Sequence, residues 1–131
     1  MTLVQETIKL TRTRDTPEVE FDALNGTLRM KGRCYPSDAK KFFEPLVSWL
    51  KDYVTVPKSP QTVVHIDLEY FNTTSGKILL NLFEMLKDLY KSGHQISVKW
   101  YEWESDEEKD DDYSFLDEFE GEYPFVEVIY R

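Results

Sequence analysis

The sequence predicts an α/β fold: a single mixed sheet with an amino-terminal β-hairpin and helices packed on it. Three observations point there. Apolar and charged residues alternate on both sides of Asn25-Gly26, the pattern of two half-buried strands around a turn. Two later stretches repeat apolar residues at intervals of three and four, the period of an amphipathic helix. A β-branched run stands between those stretches, and another strand-like run follows them, so strands alternate with helices and the connections are expected to be right-handed crossovers.

In chain order, "TIKLTR" near the start reads as a strand, and "EVEFD" and "TLRMKGR" as the arms of the hairpin. Phe21, Leu28 and Met30 are expected to face the core. From Ser37, a suitable N-cap, Phe42, Phe43, Leu46, Val47, Trp49, Leu50 and Tyr53 mark the first helix, which Pro45 either kinks or begins and "VPKSP" ends. "TVVHIDLEYF" has the apolar content of a central, covered strand. The next helix carries Ile78, Leu82, Leu86 and Tyr90 at four-residue spacing, widened by Leu79, Phe83 and Leu89, and Gly93 stops it. "QISVKWYEW" reads as a strand in which Tyr101 faces opposite to Trp100 and Trp103. Tyr113, Phe115, Leu116 and Phe119 have the spacing of a short third helix, and "PFVEVIY" reads as a last strand.

A chain of 131 residues fits one domain over 1–131. No signal peptide and no apolar run of membrane-spanning length is read, and one cysteine, Cys34, fits a reduced compartment. A cytoplasmic protein without a membrane partner is expected. The net charge of -9 is uneven: twelve acids and one lysine lie between Glu102 and Glu122, leaving the rest close to neutral. That balance argues against nucleic acid as a partner, because phosphates would be repelled. The run "ESDEEKDDD" lacks the central glycine and terminal glutamate of an EF-hand loop, so a solvated loop is expected, with a basic partner surface as the functional alternative.

The stretch "LEYFNTTSGKILLNLF" puts three hydroxyls, Thr73, Thr74 and Ser75, where a strand hands over to a helix. Capping by one of them is the plain expectation, since a helix leaves its first amides without partners. The same place, beyond the carboxyl end of a strand and at a helix amino terminus, also suits an anion. A phosphate on a hydroxyl there adds about two negative charges and changes what the surface binds. Local physics does not choose among the three. Asn72 is expected to hydrogen-bond within the turn.

Other chemistry is sparse. His65 and His94 lie apart, no Cys/His set has zinc-ligand spacing, and the glycines are too scattered for a phosphate loop. Cys34 reads as a buried, inert thiol. No metal and no cofactor is expected.

"TPEVEFDALNGTLRMKGRCYPSDAKKFFEPLVSWLKDY", "YFNTTSGKIL" and "VKWYEW" together resemble the SiaC family of bacterial regulatory phosphoproteins, over about Ile8 to Phe125. The resemblance rests on Thr16-Pro17, Phe21-Asp22, Gly26, Gly32 to Pro36, Phe43, Pro45, Trp49 and Tyr53, and on the junction around Asn72. It implies a fold similar to STAS domains and no catalysis. It implies phosphorylation by a cognate protein kinase, removal of the phosphate by a PP2C-type phosphatase, and an unphosphorylated form that binds and stimulates a diguanylate cyclase in cyclic di-GMP signalling. By position the phosphoacceptor is Thr73. Aligned instead on a STAS "D-S-S-G" pattern ending at Gly76, it is Thr74, and Ser75 is a further rival. Asn72, Thr73, Thr74, Ser75 and Lys77 are the expected partner-binding surface. Two alternatives stay open: an anti-sigma-factor antagonist, and a small enzyme with a deep pocket near His65 and Asp67.

Overall fold

The computed structural model describes residues 7–103 and 122–130. Alternation builds the first half of the sheet. Strands β1 (Ile8–Leu10), β2 (Glu18–Asp22) and β3 (Thr27–Cys34) pair antiparallel in sequence order. Val19, Phe21, Leu28 and Met30 point to the core, and the charged residues between them face away, as a two-residue side-chain period requires. The β2–β3 loop is four residues long, and of Asn25 and Gly26 only the glycine adopts positive φ, at 66°. Asn25 works through its side chain, which donates to Asp22 Oδ2 at 2.7 Å. Gly26 is pressed against the start of the strand that follows the first helix: an added Cβ would lie 2.3 Å from the Gln61 carbonyl oxygen.

Helix α1 (Ala39–Thr55) follows. Its N-cap is Asp38, whose Oδ1 accepts from the Lys41 amide at 3.0 Å, and not the expected Ser37. Both residue types cap well, so the choice lies in backbone conformation. The helix starts well before Pro45 and runs through it. Strand β4 (Gln61–Phe71), helix α2 (Thr73–Lys91), strand β5 (Gln95–Glu102) and strand β6 (Val126–Tyr130) complete the described chain. Helix α2 ends in a Schellman motif: the amide of Gly93 donates to the Tyr90 carbonyl, that of His94 to the Leu89 carbonyl, and Gly93 has φ 101°. The expected third helix falls within 104–121, outside the described residues, as does the acidic run.

The strand order is β1-β2-β3-β4-β5-β6, antiparallel up to β3 and parallel from β3 onward. Because β4 and β5 are added successively on the same side, right-handed crossovers place α1 and α2 on one face. Phe43, Leu46, Leu50 and Tyr53 of α1 and Leu79, Phe83 and Leu86 of α2 are buried there against Leu28, Met30, Val64, Ile66, Val98 and Trp100. Each such apolar side chain contributes about 1.5–3 kcal/mol through removal from water. On α2 the buried line runs Leu79, Leu82, Leu86, Leu89, whereas Ile78 is half-buried and Tyr90 is exposed. A strict four-residue spacing drifts around a helix of 3.6 residues per turn, so its ends leave the core face.

The opposite face of the sheet is uncovered by any described element. It carries Glu18 and Glu20 from β2, Arg29, Lys31 and Arg33 from β3, His65 and Asp67 from β4, and Lys99 and Tyr101 from β5. Trp103 joins this face, since its Nε1 donates to Asp67 Oδ1 at 2.6 Å, while Trp100 is buried on the helical side. Tyr101 therefore shares a face with Trp103, contrary to the expectation: residues two apart face alike, and Trp100 and Trp103 are three apart.

Candidate functional site

The junction is set up by a bulge. Gly32 stands opposite Leu68, but the next residue, Arg33, stands opposite Tyr70, so Glu69 is an extra residue on β4. Leu68 is buried, Tyr70 is turned outward at 46% exposure, and Phe71 packs edge-on against Trp100 at 5.6 Å. Arg12 Nη2 pairs with Glu69 Oε2 at 2.9 Å, and the Arg12 side chain lies over Gly32, where an added Cβ would come within 3.1 Å of its Nε. The bulge then brings Asn72 level with the end of β3, where its amide donates to the Cys34 carbonyl at 3.0 Å.

Asn72 also starts α2. Its backbone is extended (φ -82°, ψ 170°), and its Oδ1 accepts from the Ser75 amide at 2.9 Å. The cap is thus the asparagine, and none of the three hydroxyls serves as N-cap, in contrast to the plain expectation. Thr73 and Thr74 occupy the first two helical positions, both exposed, and their amides hold no bond among the described residues. Ser75 is different: it is 0% exposed. Its Oγ reaches no partner in good hydrogen-bond geometry, though its dipole is felt by the neighbouring Cys34 thiol. Burial pushes that thiol up to about 11, Ser75 partly offsets the rise, and Asp15 adds to it. Cys34 is inert at neutral pH, as its sequence position suggests.

Of the expected surface, Thr73, Thr74 and Lys77 are exposed, Asn72 is half-buried in its capping role, and Ser75 is packed away from any partner. Lys77 lies one turn along from Thr73, on the same side of the helix. A cluster missed in the sequence borders the junction. The Arg33 guanidinium stands over the rings of Tyr35 and Tyr70, 5.7 and 5.4 Å from their centroids, and the two rings meet edge-on at 5.8 Å. Tyr35 follows Cys34 and Tyr70 precedes the Asn72 pair, so the cluster and the hydroxyls share one end of the sheet. Only the bulged register brings Arg33 level with Tyr70, which is why simple alternation does not reveal it.

His65 and Asp67 lie elsewhere, mid-strand on the uncovered face. They line an open groove of about 320 Å³ with Arg29, Met30, Lys31 and Tyr101. His65 Nδ1 is 3.3 Å from the Tyr101 hydroxyl, and burial together with Arg29 and Lys99 holds its pKa below the usual imidazole value. This groove, open and mid-sheet, lies away from the junction at which the enzyme alternative places its pocket. His94 sits at the far end of the sheet, where its Nε2 bonds Thr62 Oγ1 at 2.9 Å and Thr62 in turn bonds the Tyr53 hydroxyl at 2.7 Å. No cluster of metal-ligating residues occurs among the described residues, and no described helix is long and apolar enough to cross a membrane.

The family model described as "SiaC family regulatory phosphoprotein" matches residues 10–128. The chain belongs to the SiaC family. Among relatives, an uncharacterised protein of Pseudomonas aeruginosa (strain UCBPP-PA14) is 26% identical over 91 residues, covering 68% of this chain and 70% of that protein. Among solved structures, apo-SiaC from Pseudomonas aeruginosa superposes with a TM-score of 0.77 at 21% identity, over 96% of this chain and 98% of that one. A second structure of SiaC from the same organism gives a TM-score of 0.80 at 20% identity, over 96% and 99% of the two chains. SiaC in complex with the diguanylate cyclase SiaD, which it activates, gives 0.78 at 20% identity, over 95% and 99%. The SiaC fold is thus shared along nearly the whole chain, whose described residues form a six-stranded sheet and two helices, and the match identifies a regulatory phosphoprotein.

Proposed function

We propose that this chain is a non-enzymatic switch whose phosphoacceptor is Thr73 and whose unphosphorylated form binds and activates a diguanylate cyclase. The observation that carries the reading is the division of labour at the junction. Asn72 caps α2, so the exposed Thr73 hydroxyl is spare. A kinase can reach and modify it without removing the bond that starts the helix. Family membership supports phosphorylation as the mode of control. The complex of the related SiaC with the cyclase SiaD supports a diguanylate cyclase as partner.

The switch acts through charge. A phosphate on Thr73 carries about two negative charges near neutral pH, placed on the side of the helix that also carries Lys77. A partner surface that accepts a neutral threonine there meets an unfavourable, strongly hydrated group instead. A cognate kinase would add the phosphate and a PP2C-type phosphatase would remove it, in the cytoplasm where kinase, ATP and cyclase meet.

Incubation with the cognate kinase and ATP, followed by mass spectrometry, tests the assignment: phosphate is expected on Thr73. Phosphate on Thr74 instead would move the acceptor by one residue, and none on either would overturn the mechanism. Thr73→Ala is expected to resist phosphorylation and still activate the cyclase. Thr73→Asp is expected to bind the cyclase at least tenfold more weakly, about 1.4 kcal/mol, measured by calorimetric titration.

A further inference from the structure

The face of the sheet that no described element covers has its own charge pattern. Cross-strand register puts Lys9, Glu20, Arg29, His65, Lys99 and Glu127 in one row over all six strands. Its centre is Arg29, His65 and Lys99, three nitrogen-bearing side chains on adjacent strands. Like charges on neighbouring strands are unfavourable, and Arg29 and Lys99 both lower the basicity of His65. Neither Arg29 nor Lys99 forms an ion pair among the described residues, and nor does Lys31, the next residue facing this way on β3. Beside the row stand Tyr101, in contact with His65, and Trp103, 36% exposed. Arginine, tyrosine and tryptophan side by side are the composition of a protein interface.

We propose that this face is a second docking surface, independent of the phosphorylation site, and that it takes a carboxylate-rich segment of a partner protein. Strand spacing of about 4.8 Å puts Arg29 and Lys99 roughly 10 Å apart. A single small oxyanion does not span that row. An extended acidic segment crossing the strands does, because its like-facing side chains repeat about every 6.6 Å. Carboxylates over Arg29 and Lys99 would pair two cations that hold no ion pair among the described residues. Thr73 opens a helix of the opposite layer, so a partner held on this face leaves the junction accessible. The independence from phosphorylation rests on the Thr73 assignment; the docking itself does not.

The full chain is titrated with a fluorescein-labelled ten-residue peptide of alternating glutamate and alanine, followed by anisotropy and by nuclear magnetic resonance. Saturable binding is expected, with shifts confined to Arg29, Lys31, His65, Lys99, Tyr101 and Trp103 and weakening as salt rises from about 50 to 200 mM, within the range where screening grows. The double variant Arg29→Glu/Lys99→Glu is expected to lose at least tenfold in affinity. Arg29→Ala and Lys99→Ala, each expected to weaken binding, cover the case in which the double reversal fails to fold. Thr73→Asp is expected to bind the peptide as the wild type does; loss there overturns the independence, and phosphate mapping elsewhere than Thr73 leaves the docking result standing. Shifts at other residues, or full binding by the Arg29 and Lys99 variants, overturn the proposal. So does an equal response to inorganic phosphate, which assigns a small-anion site. Binding that emerges only once the acids of 106–112 are changed to amides also overturns it, because this chain's own segment is then the occupant. A concentration-dependent rise in mass by sedimentation, abolished by the same variants, makes the occupant a second copy and has the same effect.

Discussion

Ser75 is the residue whose position decides most at the junction. A buried hydroxyl with no well-formed hydrogen bond costs free energy that an alanine does not. Ser75→Ala is therefore expected to leave stability unchanged or raise it by up to about 1 kcal/mol, read from urea denaturation, and to leave phosphorylation untouched. A loss of phosphate in this variant would contradict the burial that separates Ser75 from its two neighbours. In the sequence the three hydroxyls are equivalent, because serine and threonine share the same capping and acceptor chemistry. Their separation comes from helical phase: Ser75 turns under the first turn toward Cys34, and Thr73 and Thr74 turn out.

At the scale of an element, α2 depends on Asn72 for its start. Asn72→Ala removes the acceptor for the Ser75 amide and is expected to cost about 0.5–2 kcal/mol, measured by denaturation. Asn72→Asp retains the acceptor and is expected to keep most of that stability. A phosphate on Thr73 stands near the positive end of the helix, a favourable placement of about 0.3–1 kcal/mol for an anion. Phosphorylated protein is therefore expected to melt at the same temperature or a few degrees higher by calorimetry, and a fall would show that the phosphate disrupts α2. The existence of both helices and of the hairpin is legible in the sequence, since each rests on a local period. The choice of Asp38 over Ser37, and of Asn72 over three hydroxyls, is not, because adjacent residues of equal capping ability differ only in the backbone angles that packing imposes.

For the whole molecule, acid is the informative perturbation. His65 and His94 both have pKa values below the ordinary imidazole value of 6.5, through burial and, at His65, through Arg29 and Lys99. Between the folded values and 6.5 the unfolded chain binds more protons, so stability is fully present above about 6.5 and falls as pH drops below it. Denaturation midpoints are expected to decline from pH 7 toward pH 5, and His65→Gln/His94→Gln is expected to flatten that decline. The sequence makes the two faces of β3 legible through its alternation of apolar and charged residues. It does not reveal that β4 changes phase near its end, because an inserted residue is defined only against the strand beside it. Glu69 acts as a half-period phase shifter. A strand that kept Glu69 in plain alternation, without the bulge, would turn the ring of Phe71 to water and that of Tyr70 to the core, whereas removing Glu69 would leave both rings on the faces they now occupy. In that unbulged strand the threonines would stand half a pleat out of place, so their position is written into the parity of a single strand.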